Sequence, residues 1–340
     1  MTTKTTTSKK ELIGIESIKE ALKQQKLDTS RLKKFAQHAR RLLLEQVETK
    51  LEQVLTEGSV ASRNKPKVVS DLKEALKKEP KKELIERVAY IWFNRFCALR
   101  FMDVNRYTKI LTVSPLDGQV QPEILAEAKA GFIDEELVTK KETKERIRGL
   151  LNGSITSDNT QAEAYSLLLV SVCNYYHSTM PYLFERIDDY TELLLPDDLL
   201  SGNSILAYTR EALVTGTCKD EQEEPIVEVI GWLYQYYISE RKDEVFAALK
   251  KNKKIESADI PAATQLFTPN WIVRYLVENS LGRLWMLNKP NSKLKEQMTY
   301  YISSDQEEDF LKINSPEEIK ICDPACGSGH MLVYAFDLLY

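Results

Sequence analysis

Apolar residues between Arg31 and Glu57 recur as Leu43, Val47, Leu51, Val54 and Leu55, three and four apart, which predicts an amphipathic helix. Ser30 is placed to open it and Gly58 to close it. A second helix, Lys81 to Met102, carries VAYIWFNRFCALRFM, apolar or aromatic almost all round, the pattern of a helix central to a bundle. The intervening RNKPK, residues 63–67, reads as a basic linker. Polar Glu135 to Leu151, stopped by Gly153, and apolar Thr160 to Thr179 predict two more helices. Pro225 stands at the first turn of a long helix, IVEVIGWLYQYYISERKDEVFAALKK, whose basic last turn suits its dipole. No period of about 20 to 50 residues recurs, so no solenoid is expected.

The pattern changes after Lys254. ESADIPAATQLFTP leads into a helix from about Asn270 to Leu287, with Ile272, Val273, Leu276, Val277, Leu281 and Leu284 as its apolar positions. A polar stretch with SSDQEED follows, then Glu318–Cys322 (EIKIC) as a short predicted strand, the turn Asp323–Gly329, and an apolar helix running to Tyr340. The expectation is a predominantly α chain: a helical N-terminal domain over 1–254, then the start of an α/β domain over 255–340.

Composition narrows the class. With 43% hydrophobic and 29% charged residues in 340, the chain is long enough for about two domains with cores. The longest nearly unbroken apolar run, Ala164 to Cys173, is too short to span a membrane. MTTKTTTSKK is followed by no apolar core or cleavage site, so a cytoplasmic location is expected. Five cysteines without a CxxC pair point to neither a disulfide framework nor a zinc site. The net charge of -4 hides an asymmetry: residues 1–110 hold 25 Lys and Arg against 14 acids. Such a region fits a nucleic-acid footprint or a set of solvated helix faces.

Strand, DPACGSGH, then helix is the most informative local pattern. Gly327 and Gly329 let the backbone approach a ligand, and the amides opening the next helix favour an anion. A P-loop is excluded because no Lys follows at the required position, and a dinucleotide fingerprint because Leu332 stands where a small residue belongs. On physical grounds alone the turn fits packing as well as ligand binding. DPACGSGHML (323–332) resembles motif I of the amino-methyltransferases, and TQLFTPNWIVRYLVENSLG (264–282) resembles motif X of the γ-type adenine-N6 DNA methyltransferases. They occur in that family's order, 55 residues apart from Thr268 to Asp323. AYIWFNRFCALRFMDVNRY, NSILAYTREAL and VIGWLYQYYISERKDEVFAALKK resemble the helical region of PglX-type methyltransferases of BREX phage-defence systems.

The resemblance implies a Rossmann-like methyltransferase domain, S-adenosylmethionine as cofactor, double-stranded DNA as substrate and other BREX proteins as partners. By similarity, Phe267, Thr268 and Pro269 lie at the amino-acid end of the cofactor. Asp323 would hold its ammonium or order the loop, and Pro324, Ala325, Cys326, Gly327, Ser328 and Gly329 would wrap the methionine chain. His330 is expected to be satisfied locally rather than catalytic. The family's [NDS]PP[YFW] motif, which binds and stacks the flipped adenine, has no counterpart, since no two prolines are adjacent. The chain is therefore expected to be the N-terminal part of a longer enzyme, with no catalytic residue of its own and no activity alone. The alternative is a non-catalytic helical module that binds DNA or a defence protein.

Other features read as structure first. The rings of residues 88–101 and Tyr234, Tyr236 and Tyr237 are expected to be packing. Asp188, Asp189, Asp197 and Asp198 lack a third ligand at metal spacing, and Cys322 and Cys326 are expected to be small buried residues flanking the turn.

Overall fold

The computed structural model describes residues 29–184, 190–256, 259–264, 267–303, 309–327 and 329–340. Among these the chain is helical and contains no β-strand. It divides into a compact unit of Ser30–Glu240 and a second one that takes in Arg241–Tyr340.

In the first unit, α1 (Thr29–Leu55) buries Leu32, Phe35, Ala36, Ala39, Leu43, Val47, Leu51 and Val54, one continuous 3–4 stripe. Ser30 falls inside its first turn, and Gly58 breaks the chain direction with φ +71°. The basic segment is not a linker: α2 (Val60–Asn64) is capped by Ser59, and Pro66 occupies the first turn of α3 (Pro66–Lys78). Proline's missing N–H costs nothing there, so RNKPK joins two helices with only Lys65 between them.

The central helix is α4 (Lys81–Val104), buried on every side, with Trp92, Phe93, Phe96 and Leu99 at most 1% exposed. Trp92 stacks on Phe96, takes the Arg95 guanidinium over its ring at 4.9 Å and donates from Nε1 to Thr191 O. Around it come α5 (Glu123–Lys129), α6 (Lys141–Leu151), α7 (Thr160–Tyr176), α8 (Tyr190–Leu193), α9 (Ile205–Ala212), α10 (Thr215–Cys218) and α11 (Glu228–Tyr237). Tyr237 lies 4.4 Å from the Phe93 ring and Tyr234 5.1 Å from Tyr90, so these tyrosines do pack between helices. Buried Asp103 at the end of α4 accepts the N–H groups of Thr112, Val113 and Ser114 and the Ser114 hydroxyl, tying down the following loop. Burial raises its carboxyl above the ordinary range, against the pull of the Ser114 hydroxyl, the Thr112 and Val113 amides and the Arg100 charge.

Two helix predictions need correction. The helix expected from Glu135 starts at Lys141, because the Asp134 carboxylate accepts from Glu136 N and Leu137 N and holds a local turn instead. The long helix expected from Pro225 starts at Glu228. Pro225 instead bridges to Lys219, and the helix breaks at Ile238 (φ −90°, ψ 0°) before α12 (Ser239–Leu249).

The second unit holds α13 (Ile260–Thr264), α14 (Asn270–Val277), a π-helical turn Glu278–Gly282, α15 (Arg283–Asn288) and α16 (His330–Leu339). The strand expected at Glu318–Cys322 is absent: Pro316–Glu318 is a 3₁₀ turn, and the residues after it form no ladder. A strand exists only through a partner's hydrogen bonds, and the described residues offer none. Lys320, Ile321 and Cys322 are accordingly exposed. Asp188, Asp189 and most of SSDQEED lie outside the described residues.

Candidate cofactor site

Pro269 caps α14, and its carbonyl accepts from Ile272 N, so the helix leaves TQLFTP with a fixed direction. Val273, Val277 and Leu281 form its buried edge and meet Ala335 and Leu338 of α16 in one cluster with Met298. Gly282 permits this approach: a Cβ there would collide with Met298 Sδ and stand 3.5 Å from Leu338 Cδ2. The contacts advance in step along both helices. Phe267 meets His330, Arg274 and Glu278 meet Tyr334, and Gly282 meets Leu338. The two helices therefore run side by side in the same direction, with both N-termini at the Phe267–His330 end.

That common end carries the Gly-rich turn. Gly327 (φ +55°) and Gly329 (φ +80°) occupy the left-handed region, and Gly329 is the cap of α16. Asp323 is half-buried, and its Oδ1 accepts Ala325 N at 3.0 Å, so it orders the loop. Gly329 N then donates to Cys326 O at 2.8 Å. Pro324, Ala325, Cys326 and Gly327 are exposed, Gly329 is half-buried, and Ser328 lies outside the described residues. On the other side Phe267 and Thr268 are half-buried and Pro269 is exposed.

The Phe267 and His330 rings lie 5.6 Å apart, which brings the two sequence motifs together at one place. Among the described residues no hydrogen bond joins Asp323 to Thr268. Cys322 and Cys326, expected to be buried, are exposed, because among the described residues no sheet covers the turn. His330 packs its ring on Phe267, in keeping with a local role.

Arg274, Glu278 and Tyr334 escaped the sequence reading. Glu278 is fully buried and accepts from Arg274 Nε at 3.1 Å, Tyr334 OH at 2.8 Å and Tyr300 N at 2.5 Å. Burial, and then the bond to Glu278, push the Tyr334 hydroxyl up to about 12. The available signal was an acid directly after Val277 on an otherwise apolar helix edge.

Chemically, two helix N-termini and an exposed turn of small residues bring backbone amides and positive dipole ends to one point. This suits a carboxylate or another small anion on a slender chain. Elsewhere, a cleft of about 1430 Å³ opens in the first unit, lined by residues that include Lys50, Lys65, Arg146, His177 and Ser171. Its charges are largely spent on one another, in Lys65–Glu192, Arg146–Glu163 and Lys50–Asp197. No group of metal-ligating side chains occurs among the described residues, and no helix there is long and apolar enough to cross a membrane.

No family model matches the chain. It is 40% identical over 281 residues to adenine-specific methyltransferase BrxX of Escherichia coli O9:H4 (strain HS), covering 75% of this chain and 21% of that protein. It is 35% identical over 363 aligned residues to adenine-specific methyltransferase PglX of Lacticaseibacillus casei (strain Zhang), covering 92% of this chain and 29% of that protein. The chain belongs to the BrxX/PglX family. It spans less than a third of the length of either relative. Membership in this family agrees with the PglX-type resemblance of the two motifs and of the helical segments.

Proposed function

We propose that this chain is part of a site-specific DNA methyltransferase that transfers a methyl group from S-adenosylmethionine to adenine N6 of double-stranded DNA. The work is host DNA modification in phage defence, done in the cytoplasm beside other BREX proteins. Residues 1–254 are its helical domain, and 255–340 belong to a Rossmann-like domain that holds the cofactor. The observation that carries the reading is the meeting of Phe267 with His330, which sets the cap of α14 beside the Gly-rich turn.

The residues present fit the methionine end of the cofactor. Thr268 and the amides opening α14 and α16 suit its carboxylate, and Asp323 suits its ammonium. Gly327 and Gly329 leave room for the chain, since Cβ atoms there would point into the open turn. When bound, the cofactor supplies an electrophilic methyl group on a sulfonium. The adenine-binding [NDS]PP[YFW] motif is not in this sequence, so chemistry on the base is not assigned to any residue here.

Isothermal titration of S-adenosylmethionine into the chain, with Asp323→Ala and a circular-dichroism check of folding, tests the reading. Saturable binding lost in a folded Asp323→Ala variant supports it. Binding indifferent to that substitution, or none at all by the folded chain, overturns the assignment of these residues as a cofactor pocket.

A second reading has its own observation. Exposed Arg63, Lys67, Lys73 and Lys82, on α2 to α4, make no ion pair among the described residues, although Asp71 and Glu83 stand among them. As a DNA-binding module, residues 1–254 would retain duplex binding that falls steeply with salt.

A further inference from the structure

Resting on the cofactor reading just given, we infer that Tyr334 and Glu278 are positioning residues, which hold the Gly-rich turn at a fixed height and rotation beside Phe267 and Thr268. The apolar contact of Val273, Val277 and Leu281 with Ala335 and Leu338 presses α14 and α16 together, but such contacts have no direction and tolerate a small slide or twist. Tyr334 lies one helical turn after His330, so its hydroxyl reports the position of the whole cap. That hydroxyl donates to Glu278 Oε1 at 2.8 Å and accepts from Arg274 Nε at 3.2 Å, two directional bonds from α14 and its continuation to α16.

The acid that faces this helix stands at the start of a π-helical turn. A π-turn inserts one extra residue and rotates the following side chains relative to an α-helix. Here it begins at Glu278. Glu278 and Asn279, the first two residues of that turn, also imitate a strand edge. Glu278 Oε2 accepts Tyr300 N at 2.5 Å, Asn279 Nδ2 donates to Tyr300 O at 2.8 Å, and Asn279 Oδ1 accepts Ile302 N at 2.8 Å. Arg274 Nη2 closes the group on Thr299 Oγ1 at 3.0 Å and Gln297 O at 3.3 Å. Glu278 thus joins three elements: α14, α16 and the segment 297–302.

Burying an acid beside a half-buried arginine costs desolvation, and an apolar pair of similar volume holds two helices together as well or better. What the apolar pair lacks is register. A binding turn misplaced by about 1 Å loses much of its ligand's binding, so a register device has a use at the foot of this turn.

The test uses the full 340-residue chain and hydrogen exchange resolved to single amides, with Tyr334→Phe as the first variant because it keeps the ring and removes only the hydroxyl. Expected is a rise of about tenfold in exchange at Ala325 and Gly329, whose amides are bonded within the turn to Asp323 Oδ1 and Cys326 O, the size of one hydrogen bond to a carboxylate. Amides of Val277 and Leu281, and of α4, should stay within about twofold, since the core is untouched. Glu278→Gln, which keeps one acceptor for the tyrosine, should fall between Tyr334→Phe and the unmodified chain. A uniform rise across α14 and α16 means a purely structural role and overturns the inference, and so does unchanged exchange at the turn. Failure of the cofactor reading shows separately, as turn amides in the unmodified chain that S-adenosylmethionine does not protect.

Discussion

The two units keep their elements in place by different physics. Around α4, rigidity comes from bulk: Trp92, Phe93, Phe96 and Tyr165 are sealed from water and even Arg95 lies inside, while the directed bonds of buried Asp103 serve only the loop after the helix. In the second unit the buried cluster around α14 and α16 is small, six residues from Val273 to Leu338, and a polar node at Glu278 supplements it. Apolar burial stabilises without direction, whereas hydrogen bonds add little net stability but fix orientation. The contrast teaches where each is used: bulk where the helices only have to stay together, directed bonds where a loop has to be aimed.

The largest expected effect breaks the bulk side. Trp92→Ala should cost about 4 kcal/mol of stability in the Ser30–Glu240 unit, from the cavity and the lost bond to Thr191, as measured by urea unfolding. Leu338→Ala removes a comparable fraction of a much smaller, shallower core and should cost about 2 kcal/mol in the second unit. A cost equal to that of Trp92→Ala would erase the distinction.

Gly329→Ala tests the turn itself. At φ +80° a Cβ strains the backbone whatever space surrounds it, so a loss of about 1 kcal/mol is expected, together with weaker S-adenosylmethionine binding. High pH sharpens the polar side. In the unfolded chain Tyr334 ionises near its ordinary 10, and in the folded chain only at about 12, because burial and Glu278 oppose the charge. Its contribution is complete below pH 10 and is lost as pH rises from 10 to 12. The alkaline loss of stability should therefore be shallower in Tyr334→Phe when unfolding is followed across that window.

The smallest effect costs no stability. Cys322 and Cys326 are exposed, while Cys97, Cys173 and Cys218 are buried and burial raises their thiols, Cys173 to about 12. A thiol reagent should label the first two within minutes in the native chain and the other three only on unfolding. S-adenosylmethionine should slow the labelling of Cys326 if the turn holds it.

Much of the first unit was legible in advance because helix formation is local. The 3–4 spacing of α1, the all-round apolar surface of α4 and the stop at Gly58 each depend on near neighbours in the chain. The breaks were less legible. Asp134 diverts the chain before α6, and Ile238 splits what reads as one helix, because side-chain and tertiary contacts outweigh propensities of a few tenths of a kcal/mol. For the candidate site, the motifs named Phe267, Thr268 and Asp323–Gly329 by likeness, and the φ angles of Gly327 and Gly329 follow from residue type. The role of Asp323 as a loop acceptor was one of two options left open.

By itself the sequence determined the helical class, the central place of α4, the kinship with PglX-type methyltransferases and the glycines of the turn. All of these rest on local periodicity, on backbone sterics or on motif order. Only the tertiary structure decided that EIKIC forms no strand, since a ladder needs a partner. It alone placed an acid at position 278 in the interior, on a π-turn between Arg274 and Tyr334. It also decided that α14 and α16 open at the same end. That depends on how Gly282, Met298 and Leu338 fit together, a matter of shape between residues far apart in the chain, which no local pattern encodes.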